Sequence, residues 1–366
     1  MFSLLSALPL DRFEITLVCP ASCYPMFEPL QEPNRRVICL DLMKFSHLGA
    51  MRRMASILRQ RKIDIAHAHQ FYATLFLAPI ATACRIRGVV ETAHVREAWR
   101  RSWVKRSFLV DRLVYTMVDR FIAVSKAIQS YLIDEKHCHP SKVALIYNGR
   151  DLDRYRASGE CDAVRRQFGV APQDMLLVHI GRLSPQKGHA VLLRALPVVI
   201  EKFPQTKLLL VGEGDLAASL LDETKRLGLE GRVIFAGFQS AIPRFLEAAD
   251  LVVLPSLWEG LPLIAIEAGG VGKAIVATAV DGTPEVVMDG ITGLLVPPND
   301  SGRLAEAIVT LLADEGLRKR MGANARSRAE AFFDIRQQAS QTAALYESLM
   351  TPYRKNADNQ PVVAAT

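Results

Sequence analysis

The chain has 366 residues, of which 50% are hydrophobic and 7% aromatic, and its net charge is +7. This length favours two domains that each bury a core, and the composition is typical of an α/β protein. The longest apolar stretch, 71–84, is short and contains a proline, and the N-terminus lacks the basic start of a signal peptide. Both a membrane-spanning chain and a secreted one are therefore disfavoured.

The cysteines point to a reducing compartment. All of them lie in the first half at irregular spacing: Cys19, Cys23, Cys39, Cys84, Cys138 and Cys161. This pattern favours free thiols over a disulfide framework, so we expect a cytoplasmic protein. The run His137-Cys138-His139 has no second pair of ligands near it in the sequence, and no metal site is expected there.

The first half alternates between strands and helices. Strands are predicted at 13–19, 36–40, 63–67, 88–92, 119–124 and 143–146. Helices fit between them, for example at 48–61 and 126–134. This alternation predicts a parallel sheet that is covered by helices on both faces.

Basic charge is concentrated in the first half. Residues 1–165 carry 25 Lys and Arg against 16 Asp and Glu, whereas the remainder carries 20 against 22. One segment mixes cations with aromatic and apolar side chains: Arg96, Trp99, Arg100, Arg101, Trp103, Lys105, Arg106, Phe108 and Leu109. It fits a helix on an anionic membrane surface and equally an amphipathic helix packed on its own domain, and both interpretations stay open. Nucleic acid is disfavoured because no nucleic-acid motif accompanies the charge.

The chain order suggests a division into five parts. Residues 1–150 form a first domain that ends after Asn148-Gly149, and 151–170 form a linker with a short helix near 162–168. A second domain follows over 171–334, then a final helix over 335–350. The remaining residues, 351–366, are polar and small, which predicts disorder.

The second domain begins with a strand, 176–180, and a helix that starts near Gly188. Arg182 and Lys187 flank the loop between them, at the carboxyl end of the strand, where α/β sheets bind ligands. Arginine and lysine suit phosphate oxygens. An Arg–Lys pair alone is also typical of a solvated surface, so its meaning depends on what lies nearby.

The stretch EGLPLIAIE is the most informative part of the chain. Glu259 follows an apolar strand, 251–255, and Glu267 lies on a helix predicted over 263–268, just after Pro262. Gly260 allows a close approach of a ligand to the backbone, and the free N–H groups at the helix start favour anions. Two carboxylates with bare amides between them suit a ligand that has hydroxyls at both ends and phosphates in the middle, such as a nucleotide sugar.

The second half resembles the donor-binding domain of the retaining family 4 glycosyltransferases, also described as glycosyl transferases group 1. The similar stretches run from Gly181 to Asp300: GRLSPQKG, LLLVGEGD, VIFAGF, AADLVVLPSLWEGLPLIAIEAGGVGKAIVATAVDGTPEVV and DGITGLLVPPND. That family has the GT-B fold, an α/β architecture of two Rossmann-like domains with doubly wound parallel sheets that face each other across a cleft. The resemblance implies this fold here, with the first domain on the acceptor side.

The resemblance also implies roles for the site residues. Glu259 lies against the donor sugar, Glu267 binds the ribose hydroxyls, and Arg182 and Lys187 hold the diphosphate. The backbone from Gly260 through Leu261 and Pro262 to Leu263 completes the phosphate site, and Phe238 borders the base. No metal and no cofactor is implied.

The first half resembles the family's acceptor domain through DIAHAHQ, VVETAHVRE, FIAVSKAI and ALIYNGRDLDRY. His94 corresponds to a family histidine that reaches the donor sugar from across the cleft, although a histidine packed at a strand end is the alternative. His67 and His69 occupy alternate strand positions and are expected to line the cleft floor. His179, inside an apolar strand, is expected in the core.

One feature departs from the family pattern. The acceptor domain normally opens with a strand and a glycine-rich loop. Residues 1–19 instead resemble the helix and the second strand that follow them, so the opening strand and its loop are expected to be absent. In the doubly wound order that strand is central, so the sheet is expected to have a gap. A non-catalytic protein that binds sugar nucleotides is therefore kept as the alternative function.

The resemblance implies a retaining hexosyltransferase that moves a sugar from a UDP-, GDP- or ADP-sugar to an acceptor hydroxyl. The expected acceptor is a saccharide or a lipid-linked saccharide, in the synthesis of cell-envelope or extracellular polysaccharide or lipopolysaccharide. The expected location is the cytoplasm, either free or peripherally bound to the inner face of the membrane. No residue suggests a covalent nucleophile, so we expect front-face displacement gated by closure of the two domains. An epimerase and a pyridoxal-phosphate phosphorylase are disfavoured.

Overall fold

The computed structural model describes residues 2–41, 48–97, 109–156, 159 and 161–351. Two predictions fall outside these ranges. One is the membrane-surface or amphipathic helix, most of whose basic, tryptophan-bearing segment lies at 98–108. The other is the disordered tail, from 352 onward. Among the described helices, none combines the length and the apolar character needed to cross a bilayer.

The first domain contains the six predicted strands, each within two residues of its expected bounds. They are β1 (Ile15–Cys19), β2 (Arg35–Cys39), β3 (Ile65–His69), β4 (Gly88–Ala93), β5 (Arg120–Ala123) and β6 (Val143–Leu145). All pairings are parallel, with β1 next to β2 and the others in the order β3-β4-β5-β6. The predicted parallel sheet is therefore present, but it is divided into two parts.

The division falls where the family's central strand is expected. Within the described residues, the two-stranded sheet β1-β2 and the four-stranded sheet β3-β4-β5-β6 share no strand pairing. The first helix, α1 (Phe2–Ala7), lies on this side of the domain. Leu4 and Leu8 pack there against Ile335 and Ala343 of the C-terminal helix, so apolar contacts hold the β1–β2 unit in place.

The helices of the first domain cover its sheets. They are α2 (Tyr24–Phe27), α3 (Leu48–Gln60), α4 (Phe71–Ala83), α5 (Leu109–Tyr115) and α6 (Lys126–Ser130). The apolar α4 is buried along most of its length, whereas α3 is amphipathic and buries only Met54 and Leu58. Ser125 caps α6 by accepting a hydrogen bond from the N–H of Ile128 at 3.2 Å, which fixes where this helix begins.

The second domain is built on one parallel sheet of six strands. They are β7 (Met175–Ile180), β8 (Thr206–Val211), β9 (Val233–Gly237), β10 (Leu251–Leu254), β11 (Ile275–Thr278) and β12 (Gly293–Val296). Their order is β12-β11-β10-β7-β8-β9. The chain moves outward from β7 in one direction and from β10 in the other, so the switch point lies between these two strands. The loops that follow β7 and β10 are therefore neighbours at the edge where such sheets bind ligands.

Helices cover both faces of this sheet. They are α7 (Cys161–Gln167), α8 (His189–Lys202), α9 (Ala217–Arg226), α10 (Ile242–Ala248), α11 (Leu263–Val271), α12 (Thr283–Val286), α13 (Ser301–Ala313) and α14 (Glu315–Phe332). On one face α8 and α13 bury leucines such as Leu192 and Leu311 completely. The α/β fold with two Rossmann-like parallel-sheet domains is confirmed.

The chain crosses between the domains twice at one place. The N–H of Arg150 donates to the carbonyl of Phe333 at 2.8 Å, and the N–H of Ile335 donates to the carbonyl of Arg150 at 3.0 Å. The last helix, α15 (Ile335–Met350), then packs on α1 and β4 of the first domain. Within the stretch predicted as a linker, α7 packs on α10, and Arg165 donates to Asp250 at 3.2 Å.

Candidate functional site

The loops after β7 and β10 meet at an ion pair. The Nζ of Lys187 lies 2.5 Å from Oε1 of Glu259. Lys187 ends a short 3-10 turn, and Gly188 follows with a φ of +65°. A Cβ at Gly188 would lie only 1.9 Å from the carbonyl oxygen of Pro255, so glycine is needed there for the two loops to touch.

Glu259 is fixed through both its side chain and its backbone. Its carboxylate accepts a hydrogen bond from Oγ of Ser256 at 2.8 Å, in addition to the contact with Lys187. Its N–H donates to Oδ2 of Asp281 at 2.9 Å. The residue is only 7% exposed, so a charged carboxylate here needs these partners. It is therefore oriented before any ligand arrives.

The first turn of α11 borders the same space. Pro262 is the N-cap and α11 begins at Leu263, which is the predicted start. Because proline has no N–H group, Pro262 cannot donate to a phosphate, which corrects the prediction for the stretch from Gly260 to Leu263. The N–H groups of Leu263 and Ile264 lie in the first turn, where helices favour anions.

Residues of both domains enclose a cavity of about 590 Å³, which is within the usual size range of small-molecule sites. We call it the cleft cavity. It is lined by His94, Val95, Arg96, Asn148, Gln186, Trp258, Glu259, Gly260, Leu261 and Leu263. His94 therefore faces the second domain across the cleft and lines the same cavity as Glu259.

His94 is held by a second histidine. Nδ1 of His69, at the end of β3, lies 2.8 Å from Nε2 of His94, which follows the neighbouring strand β4. Burial lowers the pKa of His94 to about 4 and lowers the pKa of His69 well below its usual value, so both rings are neutral near pH 7. One of the two rings then donates its N–H to the other across this contact, and within the described residues no hydrogen bond is formed by Nδ1 of His94.

His67 has a different environment. Its ring nitrogens lie 2.7 Å from Oγ1 of Thr92 and 2.5 Å from the hydroxyl of Tyr346 on the C-terminal helix. Sequence reasoning treated His67 and His69 alike, yet only His69 contacts His94. The available signal was register: His69 pairs with Thr92 in the ladder, two residues before His94.

Glu267 is engaged by an arginine that the sequence analysis did not single out. Nε of Arg150 lies 2.5 Å from Oε1 of Glu267, which is 4% exposed. Burial raises the pKa of this carboxyl, and Arg150 opposes the rise. Glu267, the residue predicted to bind the ribose, is thus ion-paired and lines neither the cleft cavity nor the smaller cavity described next. The only available signal for Arg150 was its place in the stretch ALIYNGRDLDRY.

A smaller space of about 290 Å³, the inner cavity, lies beside the cleft cavity. Arg150, Lys187 and Glu259 line it together with the first turn of α11. Two cations and helix amides therefore border one space at the switch point of the sheet. This arrangement suits a diphosphate.

Three other predicted residues lie farther from these cavities. Arg182 follows β7 in the same loop as Lys187, but its side chain is exposed and lines neither cavity. Phe238 directly follows β9 and is 71% exposed. His179 is fully buried and donates from Nδ1 to the carbonyl of Val253 at 2.8 Å, which confirms it as a core residue.

Polar contacts of Glu285 and Asp281 join the domains around the cleft. Oε2 and Oε1 of Glu285 on α12 accept hydrogen bonds from the N–H groups of Lys126 and Ala127 at 2.8 and 3.0 Å. Arg96 of the first domain lies 3.7 Å from Asp281, which also holds the backbone of Glu259. Over the described ranges, no group of three His, Cys, Asp or Glu could hold a metal ion.

Comparison with known proteins matches both halves of the chain. The family model "Glycosyl transferases group 1" matches residues 162–328, and "Glycosyltransferase Family 4" matches residues 1–154. The chain is 27% identical to the UDP-Gal:alpha-D-GlcNAc-diphosphoundecaprenol alpha-1,3-galactosyltransferase of Escherichia coli, over 93% of this chain and 90% of that protein.

Solved structures agree with this assignment. The crystal structure of Anabaena Alr3699/HepE in complex with UDP and glucose covers 92% of this chain and 100% of its own, with 26% identity and a TM-score of 0.79. The same protein in complex with UDP-glucose matches with 25% identity and a TM-score of 0.78, over 91% of this chain and 99% of its own. Taken with the two sheets and the site between them, these matches show that the chain belongs to family 4 of the glycosyltransferases, has the GT-B fold and uses nucleotide-sugar donors.

Proposed function

We propose that this protein is a retaining hexosyltransferase that transfers a sugar from a UDP-sugar to the hydroxyl of a saccharide acceptor. The contact between Lys187 and Glu259 carries the proposal, because it joins the loops after β7 and β10 beside a cavity lined by both domains. UDP is preferred over GDP and ADP because the similar solved structures hold UDP or UDP-glucose.

In this mechanism the diphosphate lies along the first turn of α11. Lys187 and the N–H groups of that turn stabilise the charge that develops as the bond between the anomeric carbon and the diphosphate oxygen breaks. Arg182 adds a further cation if its exposed side chain turns inward. No metal is needed in this scheme, since the cations belong to the chain.

The two sides of the cleft hold the sugar between them. Glu259, released from Lys187 by the incoming diphosphate, accepts hydrogen bonds from the sugar hydroxyls, and neutral His94 contacts the sugar from the first domain. The acceptor oxygen attacks the anomeric carbon on the same face that the diphosphate leaves. The leaving phosphate oxygen takes the acceptor's proton, which gives retention without a covalent enzyme intermediate.

We further propose that the acceptor is a lipid-linked saccharide at an anionic membrane surface, in the synthesis of an envelope or extracellular polysaccharide. Two observations support this: the excess of Lys and Arg in residues 1–165, and the diphosphoundecaprenol substrate in the name of the Escherichia coli relative. Co-sedimentation with phosphatidylglycerol vesicles but not with phosphatidylcholine vesicles is expected. Equal binding to both would contradict this part of the proposal.

The donor is identified by thermal stabilisation. UDP-, GDP- and ADP-sugars are tested in a panel, since a ligand that binds only the folded chain must raise its Tm. The donor that stabilises the chain is then incubated alone, and slow release of free sugar is measured. Release or transfer supports the enzyme, whereas binding with neither favours the non-catalytic alternative.

Variants of the central ion pair test the site. Glu259→Gln and Lys187→Met are each expected to lower kcat for sugar release or transfer by about 100-fold to 1,000-fold, because each removes electrostatic stabilisation at the reacting centre. Glu201→Gln and Lys202→Met change exposed residues on α8 and serve as matched controls. Full activity in both site variants would refute the assignment.

A further inference from the structure

Arg150 stands at the crossing between the two domains. Its backbone forms hydrogen bonds in both directions with the returning chain, to Phe333 at 2.8 Å and from Ile335 at 3.0 Å. Next to it, the N–H of Gly149 donates to Oε1 of Gln338 on the last helix at 2.8 Å. These hydrogen bonds fix the backbone of Arg150, so a change of position is easiest for its side chain.

That side chain extends into the donor domain. Its Nε contacts Oε1 of Glu267 at 2.5 Å, and the side chain is 23% exposed. It makes no other hydrogen bond within the part of the chain that the structure describes, so its remaining N–H groups are available to a ligand. Arg150 lines the inner cavity together with Lys187 and Glu259.

The two glutamates of the site are thus neutralised in the same way. Lys187 holds Glu259, and Arg150 holds Glu267, each at 2.5 Å. Both carboxylates are below 10% exposed and need a cation in the absence of ligand. Both cations line one cavity beside the amides of α11. A ligand that carries hydroxyls and phosphates together can satisfy all four side chains at once.

We propose that Arg150 is a third cation of the donor site, which exchanges partners when a nucleoside diphosphate binds. In the free protein it neutralises Glu267; in the complex the ribose hydroxyls donate to Glu267, and Arg150 donates to the phosphate oxygens. This inference rests on the proposed function, since it assumes a nucleotide donor in the inner cavity. It gives Arg150 a binding role that a purely structural ion pair would not have.

The exchange of partners by Arg150 keeps each buried charge next to an opposite charge or a hydrogen-bond donor. A diol can replace a guanidinium as the donor to Glu267, but the displaced cation then needs an anion. The diphosphate supplies that anion on the same ligand, within the cavity that Arg150 already lines. Arginine suits this task because its fork can serve a carboxylate and a phosphate with the same geometry.

The test compares UDP with uridine in the full chain. Both ligands contain the same base and ribose. A variant that changes the contact between Glu267 and the ribose therefore affects both Kd values equally, and the ratio of the two Kd values reports the phosphate contacts alone. UDP is measured by calorimetry and uridine by ligand-observed NMR. If UDP does not bind, the GDP–guanosine and ADP–adenosine pairs replace it.

Arg150→Met is expected to reduce the preference for UDP over uridine by about tenfold to a hundredfold, the usual range for a charge-assisted hydrogen bond. Arg154→Met removes an exposed arginine four positions along and is expected to leave the preference unchanged. Glu267→Gln, which keeps the guanidinium, is expected to preserve or increase it. An unchanged preference in Arg150→Met would overturn the proposal and show a structural ion pair.

A second comparison keeps the proposal testable if Arg150→Met does not fold. The double variant R150Q/E267Q has no uncompensated charge and is compared with Glu267→Gln alone; equal preferences in the two would overturn the inference. Lys187→Met distinguishes a failure of the role of Arg150 from a failure of the proposed function. If it reduces the preference while Arg150→Met does not, the proposed function stands and the role of Arg150 fails. If wild type binds none of the three diphosphates, the proposed function fails as well.

Discussion

A Cβ on Gly260 would lie 1.6 Å from the carbonyl oxygen of His94, so the backbones of the two domains are in contact at the site. Gly260 belongs to the loop after β10 and His94 to the loop after β4. The contact places the neutral imidazole and the carboxylate of Glu259 on walls of the same cavity. Any side chain at position 260 must push the two walls apart.

Gly260→Ala is therefore expected to impair catalysis more than binding. Displacing the first domain by about 1 Å at the reacting centre is expected to lower kcat/KM for transfer by about 100-fold. The affinity for UDP should fall less than kcat/KM, because the proposed contacts of Lys187, Arg150 and the first turn of α11 with the nucleotide are kept. Steady-state kinetics and calorimetry measure the two quantities.

Gly49→Ala is the matched control, since a Cβ at Gly49 meets nothing within 4 Å. We expect it to behave as wild type in both measurements. Wild-type kcat/KM in Gly260→Ala would mean that the close contact between the domains is not required for transfer.

Glu285 offers a second test of the domain contact. Its carboxylate accepts hydrogen bonds from the first two N–H groups of α6, Lys126 and Ala127, and from the hydroxyl of Tyr147 at 2.9 Å. Glu285→Ala leaves these donors without the carboxylate and removes a favourable charge at a helix start. We expect a cost of about 1–2 kcal/mol in the association of the domains.

The expected readouts are a larger radius of gyration by small-angle scattering and a lower kcat/KM. Glu306→Ala serves as the control, because Glu306 is exposed on α13 and forms its ion pair with a neighbour on the same helix, Arg303, at 3.1 Å. Scattering and kinetics that are identical in Glu285→Ala and Glu306→Ala would speak against a role of Glu285 in closure.

The histidine pair predicts a dependence of stability on pH. Burial lowers the pKa of His94 from 6.5 to about 4, so the unfolded chain binds a proton in this interval that the folded chain does not. Stability should therefore fall as the pH falls from 6.5 towards about 4. His94 should contribute about 3 kcal/mol to this loss.

His94→Gln cannot take up the proton and should show a shallower fall of Tm over that interval. The fall should remain in part, since His67 and His69 also have lowered pKa values. His139→Gln, at an exposed position, is expected to follow the wild-type curve. A His94→Gln curve that coincides with wild type would contradict the prediction.

A buried lysine stabilises the first domain. Nζ of Lys136 lies 3.1 Å from carboxylate oxygens of both Glu97 and Asp111, and the residue is 2% exposed. Although burial lowers the pKa of Lys136, the surrounding carboxylates raise it above its usual value. Glu91 is buried in the same place, and burial raises the pKa of this carboxyl to about 7.

Lys136→Met removes the cation that these carboxylates share, and we expect the free energy of unfolding to fall by about 3–5 kcal/mol. Denaturant unfolding measures the change, and Lys202→Met, at an exposed position on α8, is the control. Equal stability of the two variants would show that other groups neutralise this cluster.

Sequence reasoning reached the donor side of the site through chain order. The apolar strands 176–180 and 251–255 are each followed by a loop with charged residues, and parallel sheets bring the carboxyl ends of neighbouring strands to one edge. Lys187 and Glu259 were thus predicted together and are in contact. Arg182 was predicted by the same argument, but its side chain is exposed, because a long side chain at a loop surface is not fixed by strand order.

The pairs that join distant parts of the chain were not predictable in this way. Arg150 and Glu267 are 117 positions apart and belong to different elements of the fold. Their contact depends on the direction in which the chain runs from the first domain into the second at Arg150. The same holds for Glu285 and α6, whose contact exists only when the domains face each other.

The sequence by itself determined the βα alternation, the two parallel-sheet domains and the loop residues at the switch point. Hydrophobic periodicity and local loop chemistry are properties of short segments, and the rules of parallel sheets convert them into position. Only the tertiary structure decided that His69 supports His94, that Arg150 neutralises Glu267 and that Gly260 touches the first domain. Each of these depends on distances between segments far apart in the chain, which are set by packing of the whole molecule and are not encoded in any local pattern.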